Sequence, residues 1–476
     1  MLFNSVEFLI FFPLVFIFYW FVFNNKLRNQ NLLLLISSYI FYGWWDWRFL
    51  SLIIFSSIID FIVGHQLSRV TSHLRRNLLL ITSISVNLGF LGFFKYYNFF
   101  AESFSDAFTL FGTHIDVYRL NIILPVGISF YTFQTLSYSI DVYKRKIEPT
   151  KDIVAFFAFV SFFPQLVAGP IERASNLLPQ FYKKRQFSYA DSVDGMRQVL
   201  WGLFKKIVIA DNAAIYANDI FNNYGAHSGS DLLLGAVYFA FQIYGDFSGY
   251  SDIAIGTSRV FGFRLKQNFA FPYFSRDIAE FWRRWHISLS SWFRDYLYFP
   301  LGGSKGGVSM KLRNTLIIFV VSGFWHGANW TFIVWGFLNA LYFIPLLLLR
   351  KNRVNTNTVA EGVLFPSLRE VLQIGMTFFL TLIAWVFFRS MSIESAGLYL
   401  YKMFSRSLFD LPSVDIKPLG LICLLIFVEW FQREKQHGLD MSRINFTVIR
   451  WFIYLLVFSL ILFFGASSQP FIYFQF

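Results

Sequence analysis

Cysteine is almost absent from this 476-residue chain, which carries a single one, Cys423, inside an apolar segment. One cysteine excludes an internal disulfide framework and a cysteine-ligated metal cluster. Charged residues are also scarce at 14% of the chain, whereas soluble globular domains carry about 25%. Hydrophobic residues reach 56%, and apolar runs recur from Val6 to Ala466. The composition therefore predicts an all-α, polytopic integral membrane protein that forms one membrane domain over residues 1–476.

Sequence motifs for common cofactors are missing as well. No Walker phosphate-binding loop or dinucleotide-binding glycine fingerprint occurs, and the seven histidines are scattered. The sequence thus predicts no bound cofactor and no metal site. A net charge of +13 suggests nucleic acid in a soluble protein, but here Lys and Arg lie in short loops between apolar runs. We attribute most of this charge to membrane topology and anionic lipid and predict no nucleic-acid partner, although a smaller basic subset could hold an anionic cofactor.

Ten apolar segments approach the roughly 20 residues that a membrane-spanning helix needs. They are Val6–Phe23, Asn31–Trp45, Phe49–Gly64, Asn77–Tyr97, Ile122–Ile140, Asp231–Ile255, Leu316–Leu349 as a pair, Val371–Phe388, Leu419–Phe431 and Thr447–Gly465. Ile153–Ile171 is broken by prolines and is predicted to be re-entrant or deeply buried. Gly195–Ala217 carries Lys205 and Lys206, which predicts an amphipathic helix or a weaker span. We expect about twelve crossings in all.

Basic residues in alternate loops predict the orientation, because Lys and Arg concentrate on the cytoplasmic side. The early basic loops carry Lys26 and Arg28; Arg69, Arg75 and Arg76; and Lys144, Arg145, Lys146 and Lys151. This alternation places the N-terminus outside the cytoplasm, with Met1–Phe23 as a retained span rather than a cleaved signal peptide. Later basic residues, including the loop Arg433–Arg450, put the hinge of the paired segment and the C-terminus outside too.

The segment Val321–Trp330 combines polar groups with an apolar context, and His326 lies inside it. An ionisable residue at membrane depth suggests a function, because its burial costs free energy. A neutral imidazole could take the proton of a hydroxyl as that oxygen attacks a carbonyl carbon. Gly323 and Gly327 could leave room for a substrate. The structural alternative is a histidine bonded to a neighbouring helix.

The segment Phe281–Pro300 is the second polar-aromatic motif. Its large residues recur at helical spacing: Trp285, Leu289 and Trp292, and also Trp282 and His286. One interpretation is an interfacial amphipathic helix whose arginines meet lipid phosphates. The other is a helix at the cytoplasmic mouth of a tunnel, with His286 near the reaction path. In that case an anionic donor would be bound through its phosphates by three arginines, Arg283, Arg284 and Arg294.

Further polar residues occur in apolar surroundings. Tyr244–Asp252 contains Asp246, Ser248 and Asp252. Membrane carboxylates are rare and usually partnered. We therefore expect pairing with Arg or backbone amides. These three residues, together with Trp325 and Asn329, are predicted to be structural or to line a tunnel.

Seven motifs, in order along the chain, resemble the membrane-bound O-acyltransferase family in its alginate O-acetyltransferase branch. They are Phe41-Tyr-Gly-Trp-Trp45, Leu124-Pro-Val-Gly-Ile-Ser-Phe-Tyr-Thr-Phe-Gln134, Phe163-Pro-Gln-Leu-Val-Ala-Gly-Pro170, Asp246-Phe-Ser-Gly-Tyr-Ser-Asp252, Phe281-Trp-Arg-Arg-Trp-His286, Trp325-His-Gly-Ala-Asn-Trp330 and Phe471-Ile-Tyr-Phe-Gln-Phe476. The resemblance implies a helical ring around a central tunnel, in a bacterial cytoplasmic (inner) membrane. It also implies that His326 is the catalytic histidine and that His286 occupies the second signature position.

The same resemblance implies the substrates and partners. The donor would be a cytoplasmic thioester, acetyl-CoA or an acyl carrier protein. An extracytoplasmic partner protein would complete transfer to a polysaccharide such as alginate. Two alternatives stay open. The same residues could serve D-alanyl transfer to teichoic acid, or acetyl transfer to peptidoglycan or cellulose. A transporter of acyl or polysaccharide units, without bond chemistry, would also have buried polar groups and broken helices.

Overall fold

Helices form all the regular secondary structure in residues 1–113 and 115–472, which are the residues that this computed structural model describes. The α-helices are α1 Val6–Ile17, α2 Leu27–Asp46, α3 Leu50–Arg69, α4 His73–Leu91, α5 Tyr97–Leu110, α6 Ile128–Tyr143, α7 Ile153–Ser161, α8 Phe163–Leu166, α9 Ala174–Leu177, α10 Tyr189–Phe204, α11 Asp211–Asn222, α12 Gly229–Val260, α13 Ile278–Arg284, α14 Ile287–Phe293, α15 Val308–His326, α16 Trp330–Leu348, α17 Leu368–Arg389, α18 Ile393–Met403, α19 Lys417–Gln432 and α20 Thr447–Phe464. π-Helical segments are Phe18–Val22, Gly92–Tyr96, Lys205–Ala210 and Arg294–Tyr298, and 3₁₀ segments are Trp47–Phe49, Leu178–Tyr182, Pro272–Phe274 and Arg406–Phe409. The all-α prediction is confirmed.

Five helical stretches of the described chain are long and apolar enough to cross a membrane. They are Leu27–Arg69, His73–Leu110, Trp330–Leu348, Leu368–Arg389 and Thr447–Phe464. The first two have 43 and 38 residues, about twice the length that one crossing takes. These helices support the prediction of a multi-pass membrane protein, whereas the twelve crossings, the orientation and the single domain stay predictions.

The surface of α20 is that of a lipid-facing helix. Val448 and Phe463 are each 81% exposed, and Val457 is the buried residue of this helix. Apolar side chains on almost every side of a helix need an apolar surrounding, which the bilayer supplies.

The chain forms two compact units. Unit 1 contains Met1–Ser192 with Thr257–Leu265, and unit 2 contains Val193–Gly256 with Lys266–Phe476. In unit 1 the buried carboxylate of Asp60 on α3 accepts hydrogen bonds from Ser139 on α6 at 2.6 Å and from Asn87 on α4 at 2.8 Å. These bonds join three helices and offset the cost of burying a carboxylate at membrane depth.

Of two predicted segments of unit 1, one begins later than expected, and the other is broken and buried in line with its prediction. The predicted span Ile122–Ile140 starts too early, because its helix begins only at Ile128. Gly127 precedes that helix at a left-handed φ of 73°, and a Cβ there would lie 2.7 Å from the carbonyl oxygen of Leu166. Ile153–Ile171 is interrupted at Phe162, and this stretch is largely buried inside the protein.

Unit 2 contains the predicted pair of helices, α15 and α16, joined by a short turn at residues 327–329. The expectation that Gly323 and Gly327 leave room for a substrate is wrong. A Cβ on Gly323 would lie 2.2 Å from the Phe332 carbonyl oxygen, and one on Gly327 would lie 2.0 Å from the Phe332 ring. Both glycines therefore serve close packing of α15 on α16, as small residues do between membrane helices.

An amphipathic helix would expose Lys205 and Lys206 on its polar face, but the structure buries both. They start the π-helical segment between α10 and α11 and are 3% and 1% exposed. A π-helical turn is wider than an α-helical turn and often marks a functional region. Here both consecutive lysines are buried inside unit 2, where they form ion pairs with buried acidic residues.

Candidate active site

His286 lies in a break between two helices and not inside one. The helical spacing in Phe281–Pro300 predicts a continuous helix, but α13 ends at Arg284 and Trp285 is extended at φ −99° and ψ 127°. His286 itself adopts the left-handed conformation, φ 44° and ψ 53°, before α14 begins. This conformation is uncommon for residues other than glycine and is often found at functional sites. The single-helix prediction is therefore wrong.

Asn268 fixes the imidazole of His286. Its side-chain oxygen Oδ1 accepts from the Ser288 hydroxyl at 2.8 Å and from the Ser288 backbone amide at 3.2 Å, and its Nδ2 donates to Ser251 at 3.0 Å. His286 Nδ1 lies 3.1 Å from the same Oδ1. Because this oxygen can only accept, Nδ1 must carry the proton. The neutral ring then has its lone pair on Nε2.

The Nε2 atom of His286 is buried and has no hydrogen-bond partner among the described residues. The ring is 1% exposed and lies edge-on to Phe247, with ring centroids 4.6 Å apart. A buried acceptor without a partner costs free energy, so such groups often mark sites that bind a ligand or a substrate. No sequence motif pointed to Asn268 as the residue that produces this arrangement.

His326 is the last residue of α15 and is 3% exposed. Its ring lies 5.0 Å from Trp335 on α16 and 5.4 Å from Phe388 on α17, between ring centroids. Trp325 lies 4.9 Å from His326 and 6.1 Å from His286. The two predicted histidines are therefore brought to one aromatic cluster, with Trp325 in contact with both rings.

A cavity of about 250 Å³ lies close to this cluster. Trp282 lines it and packs 5.6 Å from Trp335, the same tryptophan that contacts His326. Ser322 also lines it, four residues before His326 and on the same face of α15. Two basic residues, Arg294 and Arg353, lie along the wall. The cavity thus combines an apolar lining with cationic groups and extends to within one helical turn of His326.

The three arginines predicted to hold a donor do not lie together at one site. Arg283 donates to the carbonyl oxygens of Asn352 and Asn355, and Arg284 pairs with Glu280 at 2.9 Å. Neither lines the cavity. Arg294 does, and it also pairs with Asp295 at 2.9 Å. Arg353, which the sequence did not single out, comes from the polar loop after α16.

Comparisons with known proteins identify the family of this chain. The sequence model of the membrane-bound O-acyltransferase family matches residues 144–388, slightly more than half of the chain. The chain belongs to the membrane-bound O-acyltransferase family. It is an O-acyltransferase, since its relatives over most of the chain are enzymes of this kind.

Three relatives of this O-acyltransferase illustrate the range of sequence identity, coverage and named activity. "Probable alginate O-acetylase AlgI" of Pseudomonas syringae pv. tomato is 40% identical over 85% of this chain and 75% of its own. The protein of the same name from Pseudomonas putida is 36% identical over the full length of both chains. The peptidoglycan O-acetyltransferase of Helicobacter pylori is 35% identical over 83% of this chain and 78% of its own.

Buried ion pairs of this O-acyltransferase lie beside the histidine cluster. Lys206 Nζ lies 2.8 Å from Asp211 and 2.9 Å from Asp246, and Lys205 Nζ lies 2.6 Å from Asp252. The Lys205 ammonium also donates to Ser248 at 2.9 Å. The carboxylates predicted to need partners therefore have them. Asp246 accepts from a backbone amide, as expected, but the cations are lysines from the π-helical segment and not arginines.

The same ion pairs fasten the segment after α20. Lys206 donates to the Gln469 carbonyl oxygen at 3.0 Å, and Asp246 accepts from the Ile472 amide at 2.7 Å. Phe471 is fully buried, 4.4 Å from the Tyr250 ring and 6.1 Å from Phe247. Because Phe247 lies against His286, this segment supports the wall of the site. Residues 473–476 of the predicted C-terminal motif lie outside the described residues.

Asn329 caps the N-terminus of α16 and connects it to the residues that follow α17. Its Oδ1 accepts from the Thr331 amide at 3.0 Å, and its Nδ2 donates to the Met391 carbonyl oxygen at 2.9 Å. The side chain therefore holds the turn after His326 against the end of α17.

Proposed function

We propose that this enzyme moves an acetyl group from a cytoplasmic thioester toward hydroxyls of an exopolysaccharide such as alginate. The observation that carries the proposal is the pair of buried histidines on Trp325, one of them with its Nε2 lone pair unengaged within the described chain. The names of the Pseudomonas relatives support acetyl as the acyl group and alginate as the polymer.

In the proposed step His326 is the general base. An acceptor hydroxyl attacks the thioester carbonyl carbon while the imidazole takes its proton. The tetrahedral intermediate collapses, the carbon–sulfur bond breaks, and the thiolate leaves with the proton returned by the imidazolium. The buried surroundings exclude water and so limit hydrolysis of the thioester. The Nε2 of His286 supplies a second acceptor that can orient the hydroxyl.

The cavity lined by Arg294 and Arg353 suits the donor arm. Acetyl-CoA and acyl carrier proteins present the thioester on a narrow chain that carries phosphate. Guanidinium groups bind phosphate well, while the apolar wall with Trp282 and Ser322 suits the chain. Of the three arginines predicted to hold the donor, we therefore keep Arg294, leave out Arg283 and Arg284, and add Arg353.

The direction of transfer follows from the proposed orientation. In that orientation, the basic loop after α16 would lie in the cytoplasm and the turn at residues 327–329 would lie outside. The donor then enters from the cytoplasm, and the acyl group leaves on the opposite face of the bacterial inner membrane. An extracytoplasmic protein would complete its transfer to the polymer.

Labelled acetyl-CoA tests the proposal in membranes that contain the enzyme together with its extracytoplasmic partner and the polymer, with polymer-bound label as the readout. His326→Ala should lower acetyl transfer at least a hundredfold at equal protein level, because a general base contributes about 10² to 10⁴ in rate. The exposed His73→Ala is the matched control and should keep full activity. Undiminished transfer by His326→Ala would remove this residue from the mechanism.

A second assay separates this enzyme from a transporter. Purified protein in nanodiscs, given acetyl-CoA and a soluble hydroxyl acceptor, should release free CoA and form an ester in equal amounts. A transporter would move the substrate without either product.

A further inference from the structure

A groove of about 760 Å³ runs between α16 and α17 in unit 2 and shares no lining residue with the cavity proposed for the donor. Its volume falls within the roughly 300–1,000 Å³ of ligand pockets. Three of its α17 side chains are exposed: Leu368 by 76%, Leu372 by 66% and Met376 by 62%. Because α17 is long and apolar enough to cross a membrane, an exposed apolar surface on it faces lipid. The groove is therefore open to the bilayer.

The length of the groove corresponds to one leaflet. Its α17 wall runs from Leu368 to Leu380, which is about 18 Å at 1.5 Å per residue. Half of the hydrocarbon core of a bilayer is about 15 Å thick. In the proposed orientation the Leu368 end lies on the cytoplasmic side, since the basic loop after α16 precedes it. One acyl chain of the cytoplasmic leaflet would thus extend along the whole groove.

Polarity falls along the groove in the order of the parts of a glycerophospholipid. Four residues at helical spacing line it on one face of α17: Arg369, Gln373, Met376 and Leu380. The guanidinium lies at the depth of a lipid phosphate, and the Gln373 amide lies one turn deeper, at the depth of the ester carbonyls. Within the described residues, neither of these two side chains forms a hydrogen bond or an ion pair. Both are therefore available to a ligand.

Arg369 is the cation of the groove that lacks a carboxylate partner. Arg276 also lines the groove, but it pairs with Glu280 at 3.0 Å and with Glu370 at 3.4 Å. Because Arg276 is already satisfied, an anionic group that enters the mouth of the groove would bind Arg369. Phosphate suits a guanidinium, since the two form bidentate hydrogen bonds.

Asp277 supplies a negative charge at the same mouth. Its carboxylate accepts from the Glu280 amide at 2.7 Å and from the Asn355 side chain at 2.8 Å. No Lys or Arg of the described chain forms an ion pair with it. A carboxylate has about four acceptor positions, so Asp277 can still accept from an ammonium. The groove thus presents one unpaired charge of each sign at its polar end.

We infer that this groove binds one phosphatidylethanolamine molecule of the cytoplasmic leaflet, with its phosphate on Arg369, its ammonium on Asp277 and an acyl chain along α17. Bound there, the lipid packs α16 against α17, the helices whose Trp335 and Phe388 contact the ring of His326. A helix of a partner or of a second copy would also cover an apolar groove. The two opposite charges and the graded polarity favour the zwitterionic lipid.

Native mass spectrometry of the full-length protein in detergent measures this binding without acetyl transfer. Phosphatidylethanolamine, phosphatidylcholine and phosphatidylglycerol with identical acyl chains are added in turn. Phosphatidylethanolamine should bind about fivefold more tightly than the other two, because choline has no N–H for Asp277 and phosphatidylglycerol has no cation. Arg369→Gln should weaken that binding about fivefold. Arg28→Gln is the matched control and should not, since Arg28 is the exposed second residue of α2 as Arg369 is of α17. Equal binding of the three lipids, or a dimer that takes up none, would overturn the inference.

Three further variants separate lipid recognition from loss of folding. Asp277→Asn keeps a good N-cap for α13 and should remove the preference for phosphatidylethanolamine over phosphatidylglycerol. Met376→Trp fills the groove from an exposed position, so it should fold and weaken phosphatidylethanolamine binding about fivefold. Val371→Trp, exposed on the same helix but outside the groove, should bind the lipid as the unmodified chain does. Unchanged binding by Met376→Trp would show that the lipid lies elsewhere and would overturn the inference.

Discussion

Asn268 Oδ1 lies 3.1 Å from His286 Nδ1 and thereby determines which nitrogen of that imidazole carries the proton. The left-handed backbone at His286 brings the ring to this amide, and Ser288 and Ser251 hold the amide in place. A residue outside the recognised motifs thus controls the chemistry of one inside them.

Asn268→Leu should lower the turnover of acetyl transfer about tenfold, because one buried hydrogen bond of about 1.5 kcal/mol to the ring is lost. The KM for the donor should stay within twofold. Asn268→Asp keeps an acceptor facing Nδ1 and should retain more activity than Asn268→Leu. Nitrogen NMR of ring-labelled histidine checks the cause, since Asn268→Leu should mix the two tautomers of His286. An unchanged tautomer with reduced turnover would contradict this role.

The membrane helices were predictable from the length of the apolar runs, because a helix must be apolar over about 20 residues to cross a bilayer. The predicted segment Thr447–Gly465 corresponds to α20, and Val371–Phe388 corresponds to α17. His326 could be singled out because an ionisable group in such a run is costly. The break at His286 could not, since Trp282, Trp285 and Leu289 keep helical spacing across it. The spacing indicates which side chains are buried, but it does not determine where the helix breaks. The break depends on contacts with Asn268, which is distant in the sequence.

The partners of the buried charges were also beyond the sequence. Asp246 and Asp252 were expected to pair, but nothing local shows that Lys205 and Lys206 would turn inward. That orientation depends on the extra residue of a π-helical turn. The donor arginines were likewise not predictable from the sequence alone. Carbonyl oxygens of the loop after α16 accept hydrogen bonds from Arg283, and the same loop brings Arg353 to the cavity.

Gly323→Ala should destabilise the α15–α16 pair. The added Cβ would lie 2.2 Å from the Phe332 carbonyl oxygen, which is backbone and cannot move aside easily. We expect a loss of about 1–3 kcal/mol, as for overpacking in a dense core, and lower acetyl transfer because His326 ends the same helix. Thermal unfolding in detergent measures the loss of stability. Gly375→Ala in α17 is the control, since its Cβ meets nothing within 4 Å, and it should leave the unfolding temperature unchanged or raised.

Lys206→Met should leave Asp211 and Asp246 buried without their shared cation. Breaking a buried ion pair in this way costs about 3–5 kcal/mol. The Gln469 carbonyl also loses its donor, so the segment after α20 should become more accessible to carboxypeptidase. Lys417→Met, in an exposed pair with Asp415, should cost at most about 1 kcal/mol. Equal stability of the two variants would show that the buried ion pair does not fasten this segment.

Arg353→Gln and Arg294→Gln should each raise the KM for acetyl-CoA several-fold with little change in turnover, because both residues line the cavity proposed for the donor. Removing an interaction that the donor makes equally before and during reaction affects binding and not the chemical step. Arg283→Gln is the matched variant: its guanidinium holds the Asn352 and Asn355 carbonyls, so it should lower the unfolding temperature and leave this KM within twofold. Steady-state kinetics over a range of acetyl-CoA concentrations, at fixed ionic strength, measures the difference. A rise in KM for Arg283→Gln alone would move the donor site away from the cavity and back to the position that the sequence first indicated.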